Sequence, residues 1–324
     1  MKILYFLIIS LILLFHGELA NGEPVEPSKS WAAPPLILDP GKEVYPLSIH
    51  LDILEDKEGK WTIEDVTSPK LSDKFIPHKN ESTPGFGFTN SAYWVRFKVK
   101  NPPKSPFSKG GLKLSPPLQK GGEGEWLLEI ALPILDRVDL YIPPSPLPLP
   151  SGERIEVKGG FIVKKSGRLV PFKEWEIRHR SPAFYLPIDY GEEKTYYLRF
   201  KTESLMSFPM TLWSRDSFDE KDADEYIALG IYYGIISVMV LYNFFIFLSL
   251  RDRNYLFYIL YVACYGLFQA IMNGIAYEYI WHSLPWWNKH ANIFFGMSTI
   301  FWIAAFTKGI LMTKRHTPKL DRLI

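Results

Sequence analysis

From about Glu23 to Asp224 the chain alternates apolar and polar residues in short runs, broken by Pro and Gly. That pattern predicts an all-β domain. In "YWVRFKVK", starting at Tyr93, one strand face carries Tyr93, Val95, Phe97 and Val99, and the other carries Trp94, Arg96, Lys98 and Lys100. The same parity groups Trp126, Leu128 and Ile130, then Val138, Leu140 and Ile142, then Tyr196, Leu198 and Phe200. No stretch before Tyr226 repeats with a helical period. The expectation is a jelly-roll-like β-sandwich of about eight strands over 23–224. Two segments too rich in Pro and Gly to pack, 101–124 and 143–152, read as loop insertions. The first is expected to extend a hairpin between the Tyr93 and Trp126 strands.

After Asp224 the pattern changes. Three apolar runs, about 227–250, 255–280 and 291–312, each reach the roughly 20 residues that cross a ~30 Å hydrocarbon layer as a helix. The fold class predicted is therefore an all-β sandwich followed by an α-helical transmembrane bundle with three spans present, over 225–324. A shorter apolar run, Leu4–Phe15, follows Lys2 and precedes Ala20-Asn21-Gly22. This is the pattern of a secretory signal peptide over 1–22. Arg251 and Arg253 follow the first span, and Lys314, Arg315, Lys319 and Arg322 follow the third. The positive-inside rule puts those ends in the cytoplasm and the β-domain outside. Trp281, Trp286 and Trp287 then fall at the outer interface.

Composition narrows the chemistry. A net charge of +2 over 324 residues gives no reason to expect a nucleic-acid partner, and a single cysteine, Cys264, excludes an intrachain disulfide. There is no GxSxG elbow, HExxH pair or P-loop, and the seven histidines are scattered. Neither an enzyme nor a cofactor or metal site is predicted.

Two near-identical hexamers, "YWVRFK" from Tyr93 and "YYLRFK" from Tyr196, each place an aromatic and an arginine at i and i+2 on one strand face. These are Trp94 with Arg96, and Tyr197 with Arg199. Two readings stand. In one, the arginines stack across neighbouring strands and the aromatics cover the sheet. In the other, rings and guanidinium forks bind a small ligand such as a sugar, its hydroxyls or its carboxylates. "EWEIRHR" adds Trp175, Arg178 and Arg180 as a second polar-aromatic cluster. Within the apolar runs, Asn243, Gln269 and Asn273 are placed to bond between helices.

"FGFTNSAYWVRFKVKN", "LEIALPILDRVDLYI" and "YYLRF" resemble the extracellular β-domain of the bacterial seven-transmembrane receptors with diverse intracellular signalling modules. "LGIYYGIISVMVLYNFFIFLSLRDRNYLFYILYV", "GIAYEYIW" and "TPKLDRLI" resemble that family's membrane region. The resemblance implies a sensory receptor of the bacterial inner membrane. Its periplasmic domain would bind a small ligand, carbohydrate among the candidates, and relay it through seven helices to a cytoplasmic output. The chain reaches Ile324 after three spans, which reads as the front part of such a receptor without its output module. A homo-oligomer or a separate signalling partner would then complete it, with membrane lipid around the helices. The alternative is a tethered, non-signalling module that holds glycan or a partner protein.

Overall fold

The computed structural model describes residues 32–39, 41–103, 126–144 and 156–311. The predicted signal peptide over 1–22 and most of both predicted insertions lie outside the described residues. The early strands are β1 (Leu36–Ile37), β2 (Val44–Pro46), β3 (Asp52–Asp56), β4 (Ile76–Pro77), β5 (Gly85–Phe88) and β6 (Ala92–Lys100). Next come β7 (Trp126–Ile130), β8 (Arg137–Ile142), β9 (Glu156–Lys158) and β10 (Phe161–Ser166). The last are β11 (Ala183–Leu186), β12 (Glu193–Lys201), β13 (Leu205–Ser207) and β14 (Met210–Ser214). The largest sheet runs β4-β3-β6-β12-β8-β10-β9, with β1 also on β6. A second runs β11-β7-β14-β2, and β13 pairs β5.

The two larger sheets face each other across one core. Tyr93, Val95, Phe97, Val99, Val138, Leu140, Ile142, Tyr196, Leu198 and Phe200 meet Leu128, Ile130, Phe184 and Leu212 there. The alternation placed these inward, and the sandwich follows from burying them.

Three expectations need correction. The described residues hold fourteen strands rather than about eight. The extra ones are mostly edge pieces of two or three residues, too short to display alternation. The Tyr93 and Trp126 strands do not form a hairpin. Both edges of β6 are occupied by β3 and β12, and β7 belongs to the other sheet, so residues 101–125 connect one sheet to the other. Helices also precede Tyr226. α1 (Ile63–Thr67) opens with a capping box between Thr62 and Asp65, and α2 (Pro69–Ser72) follows with Pro at its first position. Elements this short show no period.

The membrane region contains three helices long and apolar enough to cross a bilayer: α3 (Arg215–Leu250), α4 (Arg253–Met272) and α5 (Pro285–Leu311). α3 starts well before the apolar run. Ser214 caps it by accepting from the Ser217 amide, and Asp216 suits the positive end of the helix dipole. Its 36 residues span about 54 Å, far more than the ~30 Å layer, so its first turns rise out of the membrane. There Phe218 is buried against Leu127 and Ala183 of the sandwich. The second span is shorter than its apolar run. Its helix stops at Met272, Gly274 turns the chain at φ +79°, and a π-helical turn, Ala276–Ile280, follows.

Candidate functional site: an outer-face cleft and a junction with the membrane helices

The two hexamers pair directly. β12 runs antiparallel to β6 with Tyr197 opposite Arg96 and Arg199 opposite Trp94. All four side chains therefore occupy one outer face, but α1 and α2 lie over it. Trp94 is fully buried, in a cluster with Leu54, Ile63, Val66, Leu71, Phe75 and Tyr141. Its ring faces protein, so it offers no open platform for a ligand. Arg96 pairs with Asp52 (2.9 Å), donates to the Ser72 carbonyl (3.0 Å) and lies 4.4 Å above the Phe75 ring. It pins α2 to the sheet. Tyr197 is half-buried, edge-on to Phe75 and Phe161. We expect Trp94→Ala to lower the stability of the outer domain by about 3–5 kcal/mol, as for deletion of any fully buried large ring. Denaturant unfolding of the full chain in detergent measures this.

Arg199 occupies a different position. It lines a cleft of about 400 Å³ with Trp61, Thr62, Ile63, Glu64, Arg137, Asp139, Tyr141 and Lys158. Its Nη2 donates to the Gly59 carbonyl at 2.8 Å, and its Nε is buried with no partner among the described residues. The other charges are mostly matched. Arg137 Nε donates to both Asp139 oxygens at 3.0 Å, and Lys158 pairs with Glu156 at 2.9 Å. Burial, then the nearby Asp139 charge, pushes the Tyr141 phenol up to about 12, so it stays a neutral hydroxyl. Trp61 is half-buried at the rim and supplies an apolar wall. The cleft thus offers one under-satisfied guanidinium beside an indole. Sequence reasoning missed Arg137 and Asp139, although parity already placed them outward on the strand of Val138, Leu140 and Ile142. Trp61 lies in the loop before α1 and Lys158 ends a three-residue strand, so neither sits in a readable pattern.

Directly beside the cleft lies a buried polar hub. Asp136 accepts from Arg168 Nε (2.7 Å), the Thr202 hydroxyl (3.2 Å) and the Glu203 amide (2.7 Å). Arg168 also donates to Ser204 Oγ at 2.7 Å. Arg168 begins the chain segment that meets the membrane helices. Val170, Phe172 and Trp175 pack with Tyr277 of the π-helical turn. The Tyr277 hydroxyl (2.6 Å) and Trp175 Nε1 (3.1 Å) both donate to the Val170 carbonyl.

Further along, His179 Nε2 lies 2.8 Å from Asp222 of α3, and Arg180 pairs with Glu225 of α3. Lys221 bridges Glu225 (3.0 Å) to Glu129 of β7 (2.6 Å). Tyr226 of α3 donates to Glu278 at 2.5 Å.

Trp175 and Arg180 therefore belong to this junction rather than to the cleft, while Arg178 is exposed on the same segment. Asn273 donates to the Tyr233 hydroxyl (3.0 Å) and so links α4 to α3. Asn243 instead bonds back to Met239 of its own helix, and Gln269 accepts from the Asn273 amide through its backbone carbonyl.

Two family models match the chain. The "7TMR-DISM extracellular 2" model covers residues 48–214, and the "7TM diverse intracellular signalling" model covers residues 225–324. No curated protein matches it.

Proposed function

Since the chain belongs to the seven-transmembrane receptors with diverse intracellular signalling, we propose that its extracellular domain senses a small sugar acid in the Arg199 cleft. Occupancy would be relayed to the membrane helices. The reading includes residence in a bacterial inner membrane, an N-terminal domain in the periplasm, and a cytoplasmic end to α5.

One observation carries the relay: the cleft lies on β8 and β12, and the hub is built from the residues that directly adjoin the ends of those two strands. Arg137 of the cleft directly follows Asp136 of the hub. Arg199 lies three residues before Thr202, which donates to Asp136. A ligand that draws Arg199 or Arg137 toward itself pulls on the hub, and the hub holds the segment packed on Tyr277. Such a ligand shifts the helices only by its differential affinity for two arrangements of this connection. A passive tether has no need to bury His179 and Trp175 against its anchor.

The cleft suits a sugar ring carrying a carboxylate. The apolar ring face lies against Trp61 while the carboxylate takes the Arg199 fork. The full chain in lipid nanodiscs, titrated calorimetrically with glucuronate and with glucose, should favour glucuronate. Arg199→Gln should weaken glucuronate roughly ten- to a hundredfold, the loss of a charged hydrogen bond worth about 1.5–3 kcal/mol. An Arg199→Gln protein that melts normally and binds glucuronate as tightly as the parent would remove Arg199 from the site.

A further inference from the structure

We infer that the small two-stranded sheet of β5 and β13 docks on the lipid surface, with the Phe88 ring seated among the lipid headgroups and upper acyl chains. Phe88 is 82% exposed, and its cross-strand partner Leu205 is 38% exposed. The small sheet is otherwise well held. Phe86, on the same strand, stacks on Tyr93 at 4.2 Å and on Phe208 at 5.7 Å. An exposed phenylalanine on a firmly anchored strand presents its whole ring to whatever lies beside it.

What lies beside it follows from the fold. β6 begins at Ala92, just past Phe88, and pairs there with the end of β12, with Phe200 opposite Tyr93. This is the end of the sandwich that carries the Asp136 hub and faces the helices. The corner between β12 and β13 is fixed to that hub through the Glu203 amide and Ser204. The same corner reaches the membrane region directly. The Glu203 carboxylate is 2.8 Å from Lys289 Nζ in the second turn of α5, next to the 70%-exposed Trp286. An ion pair to the outer end of a spanning helix sets Glu203 at headgroup height. Leu205 and Phe88 sit at the end of this small sheet nearest that ion pair. Phe and Leu side chains on a membrane-facing surface gain by burying about 5–10 Å into the boundary between headgroups and acyl chains. The occupant is therefore lipid, continuous with the lipid around α5.

The test uses the full chain carrying Cys264→Ser, which leaves no other thiol. Single cysteines are introduced as Phe88→Cys, Leu205→Cys, Trp286→Cys and Val157→Cys. Val157 is 57% exposed and sits at the opposite end of the sandwich. Each is labelled with an environment-sensitive fluorophore in nanodiscs, and quenched in parallel by doxyl-labelled phosphatidylcholine and by aqueous iodide. The Phe88 and Leu205 probes should lose emission to the doxyl lipid as the Trp286 probe does, with the Val157 probe quenched by iodide alone. Phe88 and Leu205 probes that respond like Val157 would overturn the proposal. So would probes shielded from both quenchers, which would mean that protein, a second copy or another partner, covers the β5–β13 sheet. Using two probe positions keeps the result independent of either substitution.

Discussion

Gly274→Ala should unlock the outer domain from the membrane helices. A Cβ at Gly274 would lie 2.2 Å from the Arg180 carbonyl oxygen and 3.0 Å from Pro133 Cβ. Neither is the free end of a flexible side chain. The backbone there sits at φ +79°, which costs an L-residue roughly 1–2 kcal/mol, and overpacking typically adds about 1–3 kcal/mol. The turn between α4 and α5 must then move away from the segment 170–180, and the contact of Tyr277 with Val170 and Trp175 opens. Hydrogen exchange of the full chain in nanodiscs measures the effect. Amides of 170–180 and 273–281 should exchange on the order of 30- to 3,000-fold faster, the equivalent of about 2–4.7 kcal/mol of local opening. Amides in β6 and β12 should keep their protection. An unchanged pattern at the junction would mean that the helices are positioned by something other than this contact.

Asp136→Ala should be among the most destabilising single changes in the sandwich. It strands the Arg168 guanidinium, 4% exposed, without its carboxylate and leaves the Glu203 amide unpaired. Breaking a buried pair in this way costs about 3–5 kcal/mol, because an uncompensated charge remains inside. The double variant Asp136→Leu with Arg168→Met removes both charges and should recover much of that loss, since replacing a buried pair with apolar residues is often neutral. Denaturant midpoints of the parent, single and double variants form the cycle. A single variant as stable as the parent would show that water reaches the hub and solvates Arg168.

Much of the architecture was legible in the sequence because burial parity is a local property. Tyr93, Val95, Phe97 and Val99 declare their face within one strand, and so do Tyr196, Leu198 and Phe200. The three apolar runs declare membrane helices by length alone. Each hexamer shows its own aromatic–arginine face in the sequence, and the pairing of β6 with β12 joins the two into one outer face. What parity does not contain is the cover over that face. α1 and α2 come from residues about twenty to thirty positions away, and only their docking turns Trp94 from an outward ring into a buried one. Sheet membership was equally hidden. β6 and β7 are successive strands with the same alternation, yet they lie in different sheets because β3 and β12 already occupy both edges of β6. The apolar run through Tyr277 read as one helix, since hydropathy does not register that Gly274 must adopt a left-handed turn to clear Arg180. Trp175 and Arg180 read in the sequence as part of a second candidate ligand cluster, but their partners, Tyr277 and Glu225, lie in the membrane region, so their place in a junction is visible only in three dimensions.

The central claim is that occupancy of the cleft reaches the membrane helices through the Asp136 hub. The most direct measurement is hydrogen exchange over residues 273–281 of the full chain in nanodiscs, with and without saturating glucuronate, binding being followed in the same sample. The account predicts that binding changes the exchange of these amides in the parent, and that the Gly274→Ala protein binds glucuronate equally well but shows no ligand-dependent change there. Binding at the Arg199 cleft with exchange over 273–281 unaltered in the parent would contradict it, and would leave the sandwich a tethered binding module.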